Sequence, residues 1–150
     1  MKWIFAFNED SPNFANYINQ LKVALVSITE EHGLTPILLY DGKRSESIAH
    51  LEVLEAEVIH LSSTFKEDII RETKDSKIPS AAAIGCGAFL RCEIPRLSID
   101  LNWQDEHVLY TDCDIMFMSS FRADDLPFPT DSFRLPPKAI LTTPTTSIRA

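Results

Sequence analysis

The chain has 150 residues, 45% of them hydrophobic, with a formal net charge of −8 at pH 7. That length suits one domain with one core. The acidic balance argues against a nucleic-acid surface, where clustered Lys and Arg supply most of the affinity, although net charge says little about a small local pocket.

The first predicted element is a strand at Lys2–Phe7, a short apolar run ending in polar residues. Ser11 followed by Pro12 has the form of an N-cap with proline at the first helical position. From there Phe14, Ile18, Leu21, Leu25 and Ile28 recur at helical spacing, and the helix is expected to end near His32, with Gly33 as a left-handed stop. Pro36–Tyr40 reads as a second strand closed by the turn pair Asp41-Gly42. Ile48, Leu51 and Leu54 share one face of a second helix, and Glu57–Leu61 reads as a third strand. "FKEDIIRETKDSK" predicts a short charged helix and a loop. The stretch from Ser80 to Glu93 predicts a helix that Pro95 kinks or resets. Gly85 and Gly87 lower its propensity and allow close packing on a sheet. His107–Thr111 reads as the fourth strand.

Strands alternating with helices indicate parallel βαβ units. Such a sheet buries both faces, so its strands are continuous apolar runs. The expected fold is a three-layer α/β domain, Rossmann-like, with a mostly parallel sheet. Residues 127–150 hold five of the nine prolines. The expected organisation is a domain over 1–121 and a proline-rich, poorly ordered tail over 122–150.

The three cysteines are odd in number and lack CxxC or Cys/His spacing, which argues against a disulfide framework or structural zinc. They read as small buried hydrophobes in a reducing compartment. "MKWIFAFNEDSPNF" lacks the long apolar core and cleavage site of a signal peptide. No run is long enough to span a bilayer. The expectation is a cytoplasmic protein with no transmembrane segment and no nucleic-acid partner.

The chemistry is concentrated in "HVLYTDCDIMF", His107 to Phe117. Burying unpaired carboxylates is costly, and Asp112 and Asp114 would share one face of a continuing strand. The strand is therefore expected to end near Thr111, leaving both aspartates at its carboxyl end, where open α/β sheets bind ligands. Paired carboxylates are hard oxygen ligands suited to Mg²⁺ or Mn²⁺, with further ligands from substrate phosphates. A DxD pair also arises by chance in solvated loops; its place directly after an apolar strand favours the metal site. Cys113 between the two reads as a packing residue. His50 and His60 read as surface or strand-edge residues.

"GAFLRCEIPRLSIDLNWQDEHVLYTDCDIMF" resembles the core of the family 8 glycosyltransferases, which have a nucleotide-diphospho-sugar transferase (GT-A) fold. The likeness lies in Arg91, Ile94-Pro95, Val108–Tyr110 and Asp112-x-Asp114. "FAFNEDSPNFANYINQLKVALVSI" is similar to that family's opening strand, loop and long helix. The resemblance covers roughly Trp3 to Phe121 and implies the N-terminal half of a GT-A domain. It implies that Asp112 and Asp114 hold Mn²⁺ or Mg²⁺ on the diphosphate of a nucleotide sugar, most readily a UDP-sugar. It places Asp112 also near the ribose or sugar. It implies that Arg91 faces the donor, where its planar fork suits phosphate; the alternative is a salt bridge that orients an aspartate. Phe7, Asn8 and Asp10 are implied to receive base and ribose, while "NEDSP" also reads as a helix-capping turn. Asp41-Gly42 reads as a turn, not a ligand.

In that family a longer segment after the motif carries the acceptor site and a third metal ligand, commonly histidine. Here the stretch from 115 to 150 contains no histidine. The expectation is a domain truncated after the motif. The readings are a sugar transferase with unknown acceptor, or a nucleotide-sugar-binding fragment impaired in transfer. More distant is a phosphatase of the haloacid dehalogenase type, in which the first aspartate is a nucleophile.

Overall fold

The computed structural model describes residues 1–28, 32–105 and 107–117. Its centre is a four-stranded sheet of β1 (Lys2–Asn8), β2 (Thr35–Asp41), β3 (Glu57–His60) and β4 (Val108–Tyr110). The spatial order is β3-β2-β1-β4, and every pairing is parallel. The register runs from Lys2↔Thr35 to Asn8↔Asp41 on one side of β1 and from Lys2↔Val108 to Ile4↔Tyr110 on the other. The α/β class and parallel sheet match the reading of the strands as apolar runs.

Alternation along the strands divides the core into two. Trp3, Phe5, Phe7, Leu38 and Tyr40 face α1 (Phe14–Ser27) and α2 (Glu46–Val53), packing on Ile18, Leu21, Ile48 and Leu51. Ile4, Ile37 and Leu39 face the other way, onto Leu90, Ile94 and Leu97. These last belong to a 3-10 turn, Leu90–Glu93, and to α5 (Ile94–Asp100). Two helical layers therefore enclose the sheet, as burial of both faces requires. Between β3 and β4 the chain also forms α3 (Lys66–Glu72) and α4 (Ala81–Phe89). No helix among the described residues is long and apolar enough to cross a membrane.

Several element boundaries differ from expectation for local reasons. Ser11 is not the cap of α1. Its N–H donates to the Asn8 carbonyl, and its own carbonyl accepts from Phe14 N–H, so two successive turns precede the helix and Pro12 lies within them. The helix ends at Ser27, not near His32, because Ile28 is extended. The run Val26-Ser27-Ile28-Thr29 is poor in helix formers, and the Ser27 hydroxyl donates to the Ala24 carbonyl at 2.7 Å. Gly33 does take a left-handed conformation, with φ of 62°. Ser45 caps α2, accepting from Ile48 N–H. Pro95 sits in the first turn of α5, where its missing N–H removes nothing, so it resets the helix as read. Asp41 belongs to β2, paired with Asn8, and is not part of a turn; Gly42 alone bends away after the strand, and its role is spatial: a Cβ there would lie 2.5 Å from the Tyr40 ring. The proline-rich segment 122–150, and residues 118–121 of the expected domain, lie outside the described residues.

Candidate functional site

In open parallel sheets, ligands settle beyond the carboxyl ends of the strands where the strand order reverses. Here the chain progresses from β1 to β2 to β3, then returns to place β4 on the opposite side of β1. The reversal lies between β1 and β4. A cavity of about 300 Å³ opens there, lined by the end of β1, by α4, by α1 and by the segment after β4.

The segment after β4 resolves the difficulty posed by its aspartates. The strand ends at Tyr110, and the next residues alternate: Asp112 and Asp114 are exposed, while Cys113 between them is buried in the core under α1. Both carboxylates line the cavity and neither bears the cost of burial. The segment is pinned at both ends. Thr111 N–H continues the ladder to the Ile4 carbonyl at 3.0 Å. The Thr111 hydroxyl accepts from the indole N–H of fully buried Trp3 at 2.8 Å, and Phe117 N–H donates to the Ser27 hydroxyl at 3.0 Å.

Opposite the aspartates, Arg91 projects from the 3-10 turn and is the one cation among the lining residues. It forms no ion pair among the described residues; neighbouring Arg96 takes both Glu93 and Asp100. The guanidinium lies over the Tyr110 ring, 5.9 Å from its centre, a contact that stabilises by about 0.5–1 kcal/mol when exposed. The Tyr110 hydroxyl is pushed up by burial and then by the charge of Asp112, while Arg91 opposes both. The salt-bridge reading of Arg91 thus has no partner aspartate among the described residues.

Asn8 ends β1 and lines the cavity with 2% exposure. Its Nδ2 donates to the Ala83 carbonyl on α4 at 2.9 Å, which fixes the amide orientation. Its Oδ1 is buried with no hydrogen-bond partner among the described residues, a condition that costs about 1–3 kcal/mol. Gly87 lets α4 come this close: a Cβ there would lie 3.3 Å from Asn8 N and 3.4 Å from Oδ1.

Of the residues singled out by sequence, Phe7, Asn8, Arg91, Asp112 and Asp114 meet at this cavity. Asp10 does not line it. It is exposed, and its charge acts on Tyr40 in β2, Lys66 in α3 and Cys86 in α4. Sequence reading missed Tyr17 and Gln20, which α1 brings to the cavity. Their signal was present: they are polar-ended side chains three apart, on the helix that follows the loop already implicated.

Comparison of the chain with protein-family models, with curated proteins and with solved structures found no match.

Asp112 and Asp114 offer two hard-oxygen ligands of the kind Mg²⁺ and Mn²⁺ take. Among the described residues, no group of three His, Cys, Asp or Glu side chains could hold a metal ion. With the described residues alone, an ion on this pair would take its remaining ligands from water and substrate phosphate. Cys113 packs with the core at 7% exposure, and burial, then the charges of Asp112 and Asp114, push its thiol up to about 12.

Proposed function

We propose that this chain binds a nucleotide-diphosphate sugar, most readily a UDP-sugar, with a divalent ion shared between the diphosphate and Asp112 and Asp114. In this reading the fold is a GT-A-type version of the α/β architecture, and the lineage is that of the family 8-like glycosyltransferases, which transfer the sugar to an acceptor. The observation that carries the reading is the meeting of two exposed carboxylates and Arg91 in one cavity at the reversal of strand order.

The residues divide the work by chemistry. The aspartates hold the ion, which when bound offsets diphosphate charge and stabilises the departing phosphate. Arg91 faces phosphate oxygens with a charge that does not titrate. Asn8 Oδ1 accepts from a base N–H or a ribose hydroxyl, which satisfies an otherwise orphaned acceptor. Tyr17, packed on the buried Phe7 ring, supplies aromatic surface beside it.

A second reading, donor binding without transfer, is favoured by one observation. Among the described residues the cavity offers no histidine and no third acidic ligand.

Calorimetric titration with UDP, UDP-glucose and GDP, with and without Mn²⁺, tests the proposal. Binding of a uridine ligand is expected only with Mn²⁺, and Asp112→Asn and Asp114→Asn are each expected to lower affinity at least tenfold, about 1.4 kcal/mol. Metal-independent binding, or full affinity in both variants, overturns the reading. Release of free glucose from UDP-glucose by the Mn²⁺-loaded chain separates transferase chemistry from binding alone. Hydrolysis of a simple phosphomonoester would point to the phosphatase class instead.

A further inference from the structure

Glu93 is the buried acid for which the site as described has no use. It is 2% exposed, yet both carboxylate oxygens are engaged. One accepts from Thr64 N–H at 2.7 Å and from the Thr64 hydroxyl at 2.8 Å; the other accepts from Arg96 Nε at 3.0 Å. Thr64 lies in the loop between β3 and α3, at the far edge of the sheet from β4. Glu93 is therefore a tie between that loop and the turn that carries Arg91. Burying a carboxylate is a poor route to stability alone, and apolar replacements often do as well. Its better-attested use is to select one arrangement among several.

The turn explains which arrangement. A 3-10 helix has three residues per turn, so side chains three apart eclipse each other. In Leu90–Glu93 the two ends are the buried pair: Leu90 is fully buried against Ile4, Ile37 and Leu39, and Glu93 is locked to Thr64. Arg91 and Cys92 between them are exposed. Two anchors on one side of a single turn fix its rotation about its own axis. Arg91 is thereby directed across Tyr110 toward the cavity.

We propose that Glu93 is a positioning residue for Arg91: its bonds to Thr64 set the rotation of the turn and so the direction in which the guanidinium meets ligand phosphate. This rests on the reading of Arg91 as a phosphate contact. Glu93 touches no ligand and acts through the turn alone.

The test compares affinities for UDP and UMP in the presence of Mn²⁺, because a group acting on the outer phosphate changes their ratio. Glu93→Gln is expected to reduce UDP affinity by roughly three- to tenfold, with UMP affinity changed less than about twofold. Arg91→Met is expected to lower the UDP-to-UMP ratio as well, and the double variant to lower it no further than Arg91→Met does. A merely structural role for Glu93 lowers both affinities in proportion and leaves the ratio at the unaltered value; that result overturns the proposal while the reading of Arg91 stands. An unchanged ratio in Arg91→Met overturns it from the other side. Failure of the unaltered chain to bind either nucleotide overturns the underlying reading and the proposal with it. Thr64→Val removes one of the three bonds without touching the carboxylate, and is expected to shift the ratio in the same direction by a smaller factor even where Glu93→Gln fails to fold.

Discussion

Cys113 stands between two exposed aspartates with 7% exposure, and its thiol is pushed up by burial and then by both neighbouring charges. Cys86 is also buried, and burial likewise raises its thiol, while nearby Lys66 opposes. Cys92 is exposed in the turn beside Arg91. Thiolate fraction and access together govern reactivity. Ellman's reagent is therefore expected to modify one of the three thiols rapidly in the folded chain and the other two only on unfolding. Two fast thiols would show that the segment after β4 is not seated as described. The placement of Asp112 and Asp114 was readable from sequence because two carboxylates on one strand face, with no cation in the same stretch, are costly to bury. That Arg91 has no ion-pair partner among the described residues was not readable. Which of Arg91 and Arg96 takes the nearby acids is decided by the rotation of one turn, and sequence spacing does not determine that rotation.

The helix α4 carries two glycines, and each faces a different neighbour. A Cβ on Gly87 would meet the backbone of Asn8 and Phe7 at 3.3–3.4 Å, and strand backbone does not move aside cheaply. A Cβ on Gly85 would meet only the Cγ2 tip of Ile69, at 2.8 Å. Alanine gains about 1 kcal/mol of helix propensity at either position. Gly87→Ala is expected to cost about 1 kcal/mol net and to weaken UDP–Mn²⁺ binding by pushing α4 off the end of β1, whereas Gly85→Ala is expected to stay within about 0.5 kcal/mol of the unaltered chain. Urea unfolding of the two variants checks the order. The existence and kind of the elements followed from apolar periodicity, which summed burial enforces. Their ends did not, because the start of α1 depends on two turns around Ser11, and its finish on a hydroxyl bond within its last turn.

Across the whole molecule, Glu93 connects the loop after β3 with the turn that precedes α5, and its charge makes that connection sensitive to acid. Burial raises its carboxyl, but the bonds from Thr64 and Arg96 together outweigh this, and the net position is below the ordinary 4.5. A carboxyl lowered by folding stabilises the folded chain above its unfolded value, and that contribution disappears as pH falls through the folded value. Glu93→Gln is expected to lose about 1–2 kcal/mol near neutral pH and to flatten the acid limb of the stability curve below 4.5; parallel unfolding curves for the two chains at every pH would refute this. The parallel α/β arrangement as a whole was evident from the alternation of elements. The order of its strands was not, since apolar runs do not specify which edge of β1 a later strand will join. That order has a consequence for synthesis on the ribosome. β1 can pair with β2, and β2 with β3, once residue 60 has emerged, but the other edge of β1 waits for Val108–Tyr110. At roughly 5–20 residues per second this leaves a long apolar strand half-partnered for several seconds, an interval in which a nascent chain needs shelter, and Asp112 and Asp114 reach their places only as it closes.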